Sequence, residues 1–414
     1  MAARTALAGL VVLLAGVPAL PAAADHEPAK CPMHAAHTGA HARESCQMDR
    51  LGAVEVSSTA GLGQIEVRGN LAAVVQREEG RVALVDVSDP ANLRVLGRYD
   101  GNTGRPELDD PFDGDVAFSS DGRYLFYARQ THQFSNDGLH VVDILDPSQP
   151  RLVEYVPGGG TLRVAYHRSG EDEYVITADA VAGIIVFRFI RTGAGGTLVP
   201  VHVDAQPLLK VGGPASAGLV VDPHDPILSR PLLYVTTGET GLQVFDFSDP
   251  AEPVLLGSWA TAGLADVEVS ATAEGRTVYA ATEYWFTAST APRIVELDAT
   301  SLGAITERRR FSPGEPDYPS GVSWRLQGIE LSEGLLYVAH SHAGVGVIDT
   351  CCASAPPRGS TTDLGDGNTG GEFPNVAPYA MDVEVSGGVA FVSDASTGSL
   401  SAFRFDPTLE HPDE

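Results

Sequence analysis

The chain has 414 residues, 54 of them acidic and 27 basic, and its formal charge of −27 excludes a surface built for nucleic acid or anionic lipid. Only four cysteines occur, so disulfides do not build the scaffold, and the 43 % of hydrophobic residues must supply a core by burial. Such an acidic surface attracts cations and keeps an exported protein in solution.

Arg4 precedes an apolar run from Leu7 to Val17 that is too short to span a bilayer, and Ala22-Ala23-Ala24 offers small residues for cleavage before Asp25. Residues 1–24 are therefore expected to be a signal peptide. No lipoprotein cysteine follows, and no later stretch approaches the ~20 apolar residues of a transmembrane helix. The mature protein is expected to be periplasmic, extracellular or on the cell surface, and monomeric. Residues 25–49 form a leader rich in His, Cys and Met, and residues 50–410 form the folded domain.

That domain is organised by a repeat. "RVALVDVSDPANLRVLGRY" from Arg81, "GLHVVDILDPSQPRLVEYV" from Gly138 and "GLQVFDFSDPAEPVLLGSW" from Gly241 each hold an apolar strand, an Asp-Pro turn that cannot continue it, and a second alternating strand. Weaker copies place the matched positions at Asp86, Asp143, Arg188, Asp246, Glu296, Asp349 and Arg404. Two more strand-like runs precede each copy, as in "ADVEVSATAEGRTVYAATE" and "MDVEVSGGVAFVSD". Four short strands per unit of ~50 residues, with no convincing amphipathic helix, describe a blade of a β-propeller, so seven units predict an all-β, seven-bladed β-propeller of four-stranded blades.

The ends agree with that count. The last copy stops after "LSAFRFDP" with three strands, and "RLGAVEVSS" (50–58) reads as an orphan fourth strand. Pairing the two closes the ring and removes the open edge of an incomplete sheet. The segments "VALVDVSDP", "LHVVDILDP" and "LQVFDFSDP" resemble the LVIVD repeat of secreted and surface β-propellers, over roughly residues 50–407. The resemblance implies the architecture and leaves the activity open.

In a propeller, the loops joining strand d to a and b to c lie on one face, and the a-to-b and c-to-d loops on the other. On the first face "DGNTG" occurs twice, at 100–104 and 366–370, each ahead of an Asp that opens a strand a, Asp115 and Asp382. Asp100 with Asn102, and Asp366 with Asn368, offer alternate oxygens to Ca²⁺; the same residues also make plain Asx turns. Glu66, Asp115, Asp266, Glu268, Glu330, Asp382 and Glu384 fall in or beside the innermost strands. Ringed round the channel, they require a cation, water or Arg163 between them. His132, Trp285, His340 and His342 also fall on the first face, either as ligand contacts or as packing.

The leader stretch "KCPMH" resembles the start of the small heavy-metal-binding module of metal-efflux proteins. Carried over, the resemblance makes Cys31, Met33 and His34 ligands, joined by Cys46 and Met48, for a soft metal such as Cu or Zn. Export favours disulfides instead, among Cys31, Cys46 and the adjacent Cys351 and Cys352, whose c-to-d turn should lie near Cys46. A disordered His-rich leader is the third reading.

No G-x-S-x-G elbow, Walker loop, H-E-x-x-H or dinucleotide fingerprint is present. The expected function is that of a non-catalytic binding or interaction scaffold for a protein, glycan or metal, without nucleic acid. The alternative is a metal-dependent enzyme with histidines and carboxylates of the first face around a cation.

Overall fold

The computed structural model describes residues 45–58, 61–77, 79–102, 111–131, 138–158, 160–180, 182–193, 195–204, 217–237, 240–261, 263–282, 293–311, 326–341, 344–350, 359–361 and 379–406. Alternating apolar positions and Asx turns produce short antiparallel strands there, and these assemble into seven sheets. Blade one comprises Leu62–Arg68, Leu71–Gln76, Arg81–Asp86 and Arg94–Asp100, as strands a to d from the axis outward. Blade two starts with Pro111–Phe118, blade three with Thr161–Ser169, blade four with Ala217–Asp225, blade five with Leu264–Ala271, blade six with Gly328–Ser332 and blade seven with Ala380–Ser386. These innermost strands contact one another in a closed ring, with blade seven against blade one.

The closing strand is Met48–Glu55, which pairs antiparallel with Ser399–Phe405 and makes the fourth strand of blade seven. It begins two residues earlier and ends three residues earlier than the sequence suggests. Met48 lies opposite Phe405, so the segment enters from the c-to-d face as expected. Just before it, Ser45–Cys46 pairs with Gly359–Thr361 and adds a fifth strand to blade six. Gln47, in the left-handed region at φ 53°, turns the chain from one blade to the next.

The core is divided among the seams between blades. Leu62, Ile65, Val74 and Val85 pack on Phe391, Leu400 and Ala402 at the seam of blades one and seven. Equivalent clusters fill the other six seams. Each fully buried Leu, Val or Phe contributes about 1.5–3 kcal/mol relative to exposure, so burial at the seams holds the ring.

The repeat's aspartate works locally. Asp86, Asp143 and Asp246 end strand c, and each accepts a backbone N–H two residues on, from Ser88 at 3.1 Å, Leu145 at 3.0 Å and Ser248 at 2.9 Å. Their second oxygens meet Arg94, Arg151 and Arg230. In blade five Asp298, not Glu296, occupies this position: it lies opposite Thr277 as Asp86 lies opposite Leu71, and it accepts Thr300 N at 3.0 Å. Glu296 is buried and binds Arg309 instead. Blade three is regular, and Arg188 there pairs with Asp172.

Candidate functional site

Strand a places side chains from all seven blades in register about the axis. The first layer holds Asp115, Arg163, Gly218, Asp266, Gly328 and Asp382, which share the same pairing position against strand b, and Gln64, two residues before Glu66 at the register shift of blade one. Two residues on, the second layer holds Glu66, Ala117, Ala165, Val220, Glu268, Glu330 and Glu384. The next positions are Arg68, Ser119, His167, Asp222, Ser270, Ser332 and Ser386, toward the opposite face.

The first-layer aspartates join the blades. Asp115 Oδ2 accepts Val164 N at 2.8 Å, Asp266 Oδ2 accepts Ile329 N at 2.9 Å, and Asp382 Oδ2 accepts Ile65 N at 2.9 Å. Each Oδ1 accepts the next amide of its own strand, Val116, Val267 or Val383. Two glycines make room for this belt. A Cβ on Gly328 would lie 2.1 Å from Asp382 Oδ1, and one on Gly218 would lie 2.8 Å from the Cα of Asp266.

Burial raises the carboxyls of Asp115, Asp266 and Asp382, with Asp115 pushed up to about 6. Burial also acts on Arg163, against the pull of Asp115, Asp266, Asp113 and Asp382, and the guanidinium stays charged. Its influence reaches Asp266 and Asp382 from a blade adjacent to neither, so these groups converge on the axis.

In the second layer, burial pushes Glu66 and Glu330 up to about 8, reinforced at Glu66 by Asp115 and at Glu330 by Glu66. Glu268 and Glu384 are likewise raised well above the ordinary value, by burial and by the neighbouring carboxylates. These four glutamates come from the consecutive blades five, six, seven and one. Among the described residues, no three His, Cys, Asp or Glu side chains are grouped to hold one metal ion.

On the first face, Asp100 Oδ1 accepts Asn102 N at 2.9 Å in an Asx turn, and Arg81 lies 3.6 Å from its other oxygen. The Asn102 side chain donates to Glu79 O and accepts from Arg129, both at 2.8 Å. Arg77 bridges toward Asp113 at 3.5 Å and Met381 Sδ at 3.7 Å. His340 is fully buried, and that burial lowers its imidazole to about 3, so it stays neutral. It occupies the end of strand b, where Thr237, Thr282 and Asp394 bind amides of the b-to-c turn. Cys46 lies opposite Ser360, in the short strand that follows the connection carrying Cys351 and Cys352. Cys31, Met33, His34, His132, Trp285, His342, Cys351, Cys352, Asp366 and Asn368 lie outside the described residues.

Sequence reasoning found the channel carboxylates and Arg163 but missed Gln64, the glycine clearances and the belt. The signal for the belt was present in "ADVEVS" and "MDVEVS", which repeat the same Asp, Glu and Ser spacing in blades five and seven.

The LVIVD repeat model matches residues 63–101, 122–157, 231–261 and 377–398, which fall in blades one, two, four and seven. No curated protein matches the chain. Among solved structures, hydrazine synthase of Kuenenia stuttgartiensis is similar in fold, with a TM-score of 0.55 at 14 % identity, covering 83 % of this chain and 96 % of that one. The chain is a seven-bladed β-propeller carrying LVIVD repeats, consistent with the LVIVD-repeat β-propeller family.

Proposed function

We propose that the protein is an exported, non-catalytic propeller that binds a protein or glycan partner through the face bearing the d-to-a and b-to-c connections. The reading rests on an asymmetry of chain length. The d-to-a connections 101–110, 204–216, 312–327 and 362–379 and the b-to-c connection 283–293 all belong to that face. On the other face, the a-to-b connections are two to five residues long and the c-to-d connections at most nine. Long connections on a rigid scaffold are where recognition is placed. The aspartate belt supports a scaffold role, since Asp115, Asp266 and Asp382 are occupied in joining blades.

Metal binding belongs to the same reading, with Ca²⁺ at Asp100, Asn102, Asp366 and Asn368, or Cu or Zn at Cys31, Met33, His34 and Cys46. The test is a glycan array and a thermal-shift panel on mature protein purified without chelator. A variant with 312–327 and 362–379 replaced by short Gly-Ser linkers serves as the comparison. Binding by the native protein and its loss in the folded variant supports the reading; binding that survives overturns the assignment to this face. Elemental analysis of the same material separates Ca²⁺ from Cu or Zn.

A further inference from the structure

On the rim of the ring, strand d of one blade is linked to the next blade at one register position, opposite the residue two before the repeat aspartate. Gly97, opposite Leu84, receives the c-to-d turn of blade two, where a Cβ would lie 2.3 Å from Pro147 O. Gly257, opposite Val244, receives Leu302 of blade five in the same way, and Gly52, opposite Ala402, receives Pro90 of blade one. Glu154 of blade two accepts Thr197 Oγ1 at 2.8 Å and Leu198 N at 2.5 Å in blade three, and Arg309 of blade five donates to Thr350 O at 2.7 Å in blade six. In blade three the position belongs to His202, opposite Val186, and among the described residues its side chain makes no hydrogen bond to blade four.

The outer end of that same seam is apolar. Among the described residues, every exposed large apolar side chain belongs to strands c and d of blades two, three and four or to the turn between those strands. Ile190 lies on the side of strand c that carries Val186 into the core cluster between blades three and four, and Val199 lies opposite Arg188 on that side. Leu255 lies opposite Phe245 of the same cluster, so it faces the seam from blade four. These three are 42, 41 and 50 % exposed. Tyr174, partly exposed, packs on the cluster, and its phenol is raised by burial and by the carboxylates of Asp172 and of Asp249, on the c-to-d turn of blade four. Single exposed apolar residues are ordinary, but a group that faces one seam from both blades marks a contact surface.

The charges beside it are unbalanced. Arg188 is paired with Asp172 and Arg230 with Asp246, whereas Asp249 and Glu252, ahead of Leu255, have no cation among the described residues. Pairing with a further strand is blocked, because Pro200 has no N–H and register shifts break both outer strands, between Pro200 and His202 and between Leu255 and Gly257. We propose that the outer end of the seam between blades three and four docks an amphipathic helix of a partner protein, apolar on one face and flanked by Lys or Arg. A helix satisfies its own backbone and binds through side chains alone. Its apolar face meets Ile190, Val199 and Leu255, and its cations meet Asp249 and Glu252. A second copy does not fit, since two chains of formal charge −27 repel each other. The surface lies on the rim and is independent of the loop face.

The probe is a synthetic peptide of ~18 residues, about five helical turns, with Leu on one face and Lys on the other. Its fluorescence anisotropy is followed on titration with mature protein at ~150 mM salt, which screens diffuse attraction to the acidic surface. Saturable binding is expected, at least ~10-fold tighter than that of a scrambled peptide of the same composition. Leu255→Asp and Val199→Asp, both at exposed positions and checked for folding by circular dichroism, should each weaken it at least ~10-fold, although each adds a charge that a purely electrostatic attraction would favour. Glu252→Lys should weaken it as well. Retained binding in the loop-replaced variant is expected, which separates this proposal from the loop-face reading. No saturable binding at millimolar peptide overturns it. So does equal binding of the scrambled peptide, or binding unchanged or tightened in both aspartate variants. A dimer in sedimentation that Leu255→Asp dissociates overturns it in favour of a second copy.

Discussion

Replacing Asp382 by alanine tests the aspartate belt where the ring closes. Asp382 accepts Ile65 N at 2.9 Å across the seam of blades seven and one, and Val383 N at 3.0 Å within its own strand. Alanine leaves both amides without acceptors at a position 7 % exposed. Each orphaned buried amide costs about 1–3 kcal/mol, and release of the buried carboxyl offsets part of this, so Asp382→Ala should lose about 2–4 kcal/mol. Asp382→Asn keeps the shape and an acceptor oxygen. Burial raises the native carboxyl well above its ordinary value of 3.8, so exchanging it for a neutral amide costs less than at an exposed aspartate. It should lose less than ~1.5 kcal/mol. Thermal and denaturant unfolding measure the difference, and hydrogen exchange at Ile65 locates it: protection there should fall in Asp382→Ala and persist in Asp382→Asn. Equal destabilisation by both variants, or unchanged protection of Ile65 in the alanine variant, refutes the belt as a source of ring stability.

The glutamate layer gives stability a pH dependence of definite sign. Between the ordinary 4.5 and about 8, Glu66 and Glu330 hold protons in the folded state that they release when unfolded, so stability falls as pH rises through that window. Melting temperatures at pH 5 and pH 9 should show the fall, and Glu330→Gln should flatten it; a rising profile over the window would contradict the assignment. At the seam of blades four and five, Arg276 and Asp225 form a fully buried ion pair, with Nε to Oδ2 at 2.8 Å. Arg276→Met strands the carboxylate and should cost about 3–5 kcal/mol by denaturant midpoint, with Arg276→Met/Asp225→Leu recovering most of the loss. The pairing of Cys46 opposite Ser360 leads us to expect no free thiols in the denatured, unreduced mature protein, and a peptide map linking Cys46 to Cys351 or Cys352. Titratable thiols together with bound Cu or Zn would show a soft-metal leader instead.

The seven-bladed architecture was legible in the sequence because its signals are local. Alternation of apolar residues writes each strand, and an aspartate two residues ahead of the amide it accepts writes each turn, as Asp86 does for Ser88. Locality also explains where the reading slipped. In blade five the copy is weak, and Glu296 was matched where Asp298 stands, since only the pairing of Asp298 with Thr277 across the sheet distinguishes the two. The extra strand at Ser45–Cys46 was invisible because two residues carry no periodicity and their partner, Gly359–Thr361, is itself three residues long.

The candidate site divides the same way. Composition and spacing brought seven carboxylates to the innermost strands, but their separate roles arise from contacts between blades. Asp382 and Ile65 are 317 positions apart in the chain, and Gly328 is required because Asp382 of the next blade occupies the space its Cβ would take. Glu384 belongs to a cluster because strands from four blades meet at one axis, and His340 is neutral because the fold buries it at a strand end. The sequence by itself determined the strands, the repeat and the closure of the ring, which depend on neighbours within a few residues. Only the tertiary structure decided which acids bind the blades together and which lie buried in the channel among other carboxylates, because burial and cross-axis charge exist only once the ring is closed.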